Sequence, residues 1–190
     1  MPALATKTAP NDNSAGDSAP AGIISFERTE DIHLIRSIVA HPKVYGFLHD
    51  DEGPLREDWV PGFGGRISWM AVRYDGVPIG IIVVREHSSY LWELHYGFLP
   101  EAWGGLALEC FREFIRGVWR YSKCRRVYGQ ILASNRRSLK FARAAGAVEF
   151  ATHPRSIMKY GKMQDQILVA IDRPAELATE VAIPATGQKE

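Results

Sequence analysis

The chain is poor in cysteine: Cys110 and Cys124 are the only two in 190 residues. That excludes a disulfide-rich scaffold and a zinc site built on cysteines. No apolar run approaches the roughly eighteen residues that cross a bilayer. The first residues hold one lysine and no apolar block, so no secretory leader is expected. Charge of one sign is lacking too. The 23 Lys and Arg face 22 Asp and Glu, and a net +1 points to neither nucleic acid nor membrane. What is present is ordinary for a globular protein, with 46% hydrophobic and 24% charged residues. The length suits one domain with a full core and is short for two. A reducing cytoplasm is the expected setting.

Residues 1–22 hold six Ala and three Pro with no aromatic or β-branched aliphatic residue, which predicts a disordered arm. From Arg173 to the end, Pro174 and Pro184 interrupt a weak apolar pattern, which predicts a tail with one helical turn. The folded domain is expected over 23–172. Ile23 to Arg28 reads as a strand, and Glu30 to Ala40 as a helix with Ile32, Ile35 and Val39 on one face and Pro42 past its end. Residues 49–65 read as an irregular connection. Three strands follow, Ile67 to Tyr74, Ile79 to Glu86 and Tyr90 to Leu99, the first two joined by the hairpin signal Asp75-Gly76. Gly104 to Arg120 is the clearest helix, with a stripe of Leu108, Phe111, Phe114, Ile115, Val118 and Trp119. A strand over Arg126 to Leu132, a helix over Asn135 to Ala145, and short strands over Ser156 to Tyr160 and Gln166 to Ile171 close the domain. Consecutive strands without intervening helices give a mixed α+β class with a largely antiparallel sheet, not a doubly wound one.

The most informative stretch is Glu93 to Glu109, ELHYGFLPEAWGGLALE. A strand runs through Pro100 and a Gly-Gly pair straight into the best helix. Glycines admit a phosphate to backbone N–H groups, and the free amides of the first turn add a positive dipole end. A plain glycine turn opening a helix has the same spacing.

This run, with Pro100-Glu101-Ala102-Trp103-Gly104 at its centre, resembles the acyl-CoA signature of the GNAT acyltransferase superfamily. It is most similar to the branch of ribosomal-protein N-terminal acetyltransferases. Asn135-Arg136-Arg137-Ser138, with Gly146 eleven positions after the Asn, resembles the superfamily's Asn-x-x-Ser helix. The resemblance covers about 23–172. It implies a GNAT-like sheet with helices on both faces and an acetyl group moved from acetyl-CoA to an amine. The acyl-CoA would lie between the third and fourth strands of the main sheet. Its pyrophosphate would rest on the amides of Trp103, Gly104, Gly105, Leu106, Ala107 and Leu108, with Leu99, Asn135, Arg136, Arg137 and Ser138 completing the cofactor set. The block from Phe26 to Asp51 has a softer likeness to GNAT-like proteins of tailed phages, which implies a virion as the alternative location.

Departures from the family pattern are equally specific. Ala102 stands where the glycine signature carries Gln or Arg, Ala142 where many members carry a Tyr acting as general acid, and Ala147 where an aromatic follows the Gly. These departures also fit a protein that kept the fold and lost its chemistry, serving as a structural or interaction module.

Acyl transfer to an amine needs a group to take the amine's proton, and a carboxylate or His suits it. Strand alternation from Tyr90 puts Tyr90, Trp92, Leu94, Tyr96 and Phe98 on one, core, face. Glu93 and His95 share the other with Gly97, beside the glycine loop. They are the candidate catalytic pair, although a solvated strand face would carry such residues too. No metal is expected: His33, His41 and His49 recur every eight residues, a spacing of neither a helix face nor a strand face. His87 and His153 read as loop histidines, and Cys110 as a buried thiol.

Nine basic residues and no acid lie between Phe114 and Val148, from Arg116 to Arg143, against eight acids and four bases over 27–58. Solvated helix faces account for this separation, as does an anionic partner: the 3′-phosphate of CoA, nucleic acid, or an acidic surface on a second copy or assembly partner.

Overall fold

The computed structural model describes residues 22–177. The expected arm before Gly22 and the tail beyond Leu177 lie outside the described residues. The elements are β1 (Ile24–Arg28), α1 (Ile32–Val39), α2 (Pro42–Leu48), β2 (Ile67–Tyr74), β3 (Val77–Glu86), β4 (Leu91–Phe98), α3 (Gly105–Tyr121), β5 (Arg126–Leu132), α4 (Arg136–Ala144), β6 (Val148–Lys159) and β7 (Lys162–Asp172). The strands form one seven-stranded sheet in the order β1-β2-β3-β4-β5-β7-β6. Every neighbouring pair is antiparallel except β4 and β5. This is the mixed α+β class expected.

The period of two in the central strands decides which helices cover which face. Trp69 and Ala71 of β2 and Ile81 of β3 pack under α1 with Ile35, Ile38 and Val39. The alternate residues Met70, Val72, Ile82 and Val84 face the other way, where Trp92 and Leu94 meet Phe111, Phe114, Ile115, Val118 and Trp119 of α3. Burial on both faces explains why these strands read as apolar runs. α3 therefore packs on the sheet face carrying Trp92, Leu94 and Tyr96, as its stripe predicts. Two stripe details differ. Leu108 is only partly buried while Ala107 and Cys110 are buried, and Tyr90 is exposed just ahead of β4.

Several boundaries differ for physical reasons. Asp31, not Glu30, opens α1: its carboxylate takes the amides of His33 and Leu34. Pro42 follows the end of α1 but also opens α2, a helix that the sequence pattern did not indicate. A proline has no N–H to lose at a first helical position, and His41 Nδ1 accepts the Lys43 amide at 3.2 Å. The Asp75-Gly76 turn has φ of 49° and 80°, the left-handed pair a two-residue hairpin needs. The closing hairpin is far longer than its apolar pattern suggests. β6 is exposed along most of its length and is an edge strand held by pairing with β7 rather than by burial. Its turn, Tyr160-Gly161, has φ of 55° and 68°.

Three members of the basic stretch are occupied within the chain. Arg116 pairs with Glu113, Arg126 with Asp172 and Arg143 with Glu149. This diminishes the basic face as an assembly surface.

Candidate functional site

β4 and β5 are paired only over Leu91–Glu93 with Arg126–Tyr128, then part. Gly129 lets β5 pass close to β4 here, since a Cβ would stand 3.1 Å from the Leu94 carbonyl oxygen. Past this point a cleft of about 250 Å³ opens through the sheet. The expected gap between the third and fourth strands is closed, because β3 and β4 are paired from Gly80–Phe98 to Glu86–Trp92. The opening is between the fourth and fifth.

Alternation gives the cleft two halves. Toward α3 and α4 it is lined by Leu94, Tyr96 and Phe98 with Ala107, Phe111, Ser138, Phe141 and Ala142. Toward α2 it is lined by His95, Tyr128 and Gln130 with Val44, Phe47, Leu48 and His49, and β6 and β7 add Ile157 and Gln166. Gly97 allows α2 this approach: a Cβ there would meet Val44 Cγ1 at 3.0 Å.

The α3 half holds the stretch expected to take a phosphate, and Gly104 and Ala107 of it line the cleft. Pro100–Ala102 form a 3-10 turn, and Gly104 turns the chain into α3 with φ +99°, a conformation that favours glycine. The Leu108 amide is held by the Gly104 carbonyl, so the first-turn amides of Gly105, Leu106 and Ala107 have no carbonyl a turn before them. The Trp103 amide is taken by the Pro100 carbonyl at 3.1 Å. Ala102, where the family pattern carries Gln or Arg, is fully buried and does not line the cleft. Trp103 donates its indole N–H to the Phe98 carbonyl at 2.8 Å, and the Arg137 guanidinium lies 4.5 Å over its ring. Asn135 caps α4 by accepting the Ser138 amide. Of the expected cofactor set, Trp103, Gly104, Ala107, Asn135, Arg137 and Ser138 line the cleft. Gly105, Leu106, Leu108, Arg136 and Leu99 do not, and Leu99 packs toward α1. The Tyr96 hydroxyl is buried beside Ser138, and burial raises its pKa while Ser138 acts in the opposite direction.

Glu93 is not on a solvated face. It is 4% exposed, directly behind the cleft wall. Its Oε1 takes His95 Nε2 at 2.9 Å and its Oε2 takes His87 Nε2 at 2.9 Å. The Tyr128 hydroxyl donates to Oε2 at 3.3 Å, Gln130 approaches Oε1 at 3.4 Å, and Arg85 lies 3.8 Å away. The His95 hydrogen bond, supported by those of His87 and the charge of Arg85, holds the carboxyl down to about 2 against burial. An ionised carboxylate only accepts, so His95 carries its proton on Nε2 and keeps Nδ1 as the neutral ring's acceptor. His87, expected in a loop, belongs to this cluster. Its signal was the hairpin register: Arg85 pairs with Glu93, and the His87 amide bonds the Leu91 carbonyl, so His87 returns diagonal to Glu93. The elements also bring in His49, which was not expected here. Its Nε2 is buried without a partner among the described residues, its ring stacks on Tyr45, and burial lowers its pKa.

The family model of the acetyltransferase (GNAT) domain matches residues 25–148. The chain belongs to the GNAT acetyltransferase family. Solved structures share the GNAT fold. A Vibrio cholerae spermidine N-acetyltransferase, solved with CoA and spermine, is 14% identical over 78% of this chain and 95% of its own, with a TM-score of 0.65. Mycobacterium smegmatis RimJ, solved with CoA-disulfide, is 18% identical over 83% of this chain and 84% of its own, also at 0.65. A GNAT-family acetyltransferase of Bacillus anthracis is 16% identical over 78% and 94%, at 0.63. No curated protein sequence matches the chain. The softer likeness to phage proteins and the reading as a structural module gain no support from these comparisons. No helix among the described residues is long and apolar enough to cross a membrane.

Proposed function

We propose that this GNAT domain is an N-acetyltransferase that moves an acetyl group from acetyl-CoA to a primary amine. The observation that carries the reading is one cleft that runs from the N-terminal end of α3, where Gly104 and Ala107 line it, to His95, which Glu93 holds from behind the wall. The fit to CoA rests on three features. Gly105, Leu106 and Ala107 offer N–H groups to a pyrophosphate at a positive helix end. Arg137 adds a cation at the cleft rim. The β4 edge from Leu94 to Phe98, unpaired toward β5, suits an extended chain with amides such as pantetheine. Two of the GNAT structures described above were solved with CoA or its disulfide, which agrees with this assignment.

Acetyl-CoA would supply the acyl group as a thioester: the amine's N–C bond would form as the C–S bond breaks, and CoA would leave as a thiolate that takes up a proton, balancing the one given to His95. His95 takes the proton that the amine gives up, at Nδ1. Glu93 fixes the ring through Nε2 and stabilises the imidazolium that results, without becoming protonated itself. Tyr96 keeps its proton at Oη on the far side of the cleft, where burial disfavours its anion.

The test is calorimetric titration with acetyl-CoA, followed by mass-spectrometric detection of acetylated amines. Glu93→Gln and His95→Ala should each lower turnover by about 10²–10⁴-fold, the usual range for a general base. CoA affinity should stay within a factor of three or so. Full turnover in both variants would remove this pair from the mechanism.

A further inference from the structure

The charge of the cleft lining restricts the acceptor. Among the described residues that line it, the only charged side chains besides histidine are Lys43 and Arg137; none is Asp or Glu. The acids nearest the α2 half stand outside that lining, Asp50, Glu57 and Asp58 lying around Tyr45 of α2. Glu93 is enclosed by His87, His95 and Tyr128. The Asp50 carboxylate takes the Glu52 amide, and that of Asp51 takes the Gly161 amide at 2.7 Å. A polycation entering the α2 half would meet Lys43 and no lining carboxylate, and a desolvated ammonium without a partner is costly.

The same half is apolar where it is not histidine. Phe47 is 47% exposed and lines the cleft with Leu48 and Ile157. Lys159, itself buried, donates its ammonium proton to the His49 carbonyl at 2.7 Å and ties the end of β6, two residues past Ile157, to the end of α2. His49 turns to this region a buried Nε2 with no partner among the described residues, and burial disfavours its charged form.

Resting on the transferase reading, we infer that the acceptor is a monocationic primary amine with an apolar body, seated against Phe47, Leu48 and Ile157, and not a polyamine. The single amine would reach His95 while the apolar body fills the wall beneath α2. The Vibrio cholerae enzyme with the same fold was solved with spermine; this cleft lacks the carboxylates that a polyamine would need.

The experiment is calorimetry on the CoA-loaded full chain, with 2-phenylethylamine and spermidine as probes. 2-Phenylethylamine should bind at least tenfold tighter than spermidine. Phe47→Glu, at a half-exposed helix position that should tolerate the change, should shrink that ratio about tenfold by supplying the missing carboxylate. Equal or tighter binding of spermidine, or no binding of either amine to CoA-loaded protein, would overturn the inference. Failure of CoA itself to bind is a separate result, and sinks the transferase reading first.

Discussion

Glu93 sets the chemistry at the residue scale, and its environment makes a stability prediction independent of catalysis. Hydrogen bonds from His95 and His87 hold its carboxyl to about 2, below the ordinary 4.5. A depressed carboxyl stabilises the fold fully above its unfolded pKa and loses that contribution as pH falls toward the folded one. The window is therefore pH 4.5 down to 2. At 1.36 kcal/mol per unit the contribution is on the order of 3 kcal/mol. Urea unfolding across this window should show wild-type stability falling with acid, and Glu93→Gln less stable at neutral pH but flatter below 4.5. Parallel curves for the two proteins would mean the carboxylate is not held as described.

Elements position these side chains, and here the sequence was legible unevenly. The turn at Gly104 and the α3 stripe follow from glycine placement and period, so Glu93, His95 and the first-turn amides stood out as candidates; the parting of β4 and β5 did not, since the gap was expected one strand earlier. α2 did not either. Pro42 reads as a stop in a linear scan, and only packing of Val44 and Leu48 onto Gly97 makes the segment worth folding as a helix. The closing hairpin was cut short because β6 is exposed on an edge, where pairing leaves no apolar alternation. His49 entered the site through these contacts between distant segments, and His87 through the β3–β4 hairpin register, six residues from Glu93. The hairpin itself is pinned to the end of α2 by Lys159 on the His49 carbonyl, with the Asp51 and Gly161 amides bonded across the same junction. Lys159→Met keeps the bulk and removes the donor. Hydrogen exchange at Asp51 and Gly161 should accelerate about tenfold, equivalent to about 1.4 kcal/mol and within the range for a hydrogen bond to a charged group. Unchanged exchange would show that the hairpin is held by its own pairing.

Across the whole molecule, one sheet buried on both faces carries a cleft of about 250 Å³, placed where its one parallel pair comes apart. The family likeness spans most of the folded region and departs from it at Ala102 and Ala142. Ala102 is buried in a 3-10 turn and has no access to a ligand, so its departure leaves the cradle to backbone amides alone. Ala142 lines the cleft beside Ser138 and Phe141 and leaves the α3 half to the hydroxyls of Tyr96 and Ser138. Whether the N-terminal end of α3 binds CoA decides the function of the cleft. The most direct measurement is the amide spectrum of ¹⁵N-labelled protein titrated with CoA. The Gly105, Leu106 and Ala107 resonances should move most and saturate together, with the Trp103 indole and Ser138 following. Saturating shifts confined to other surfaces, or none at millimolar CoA, would contradict it.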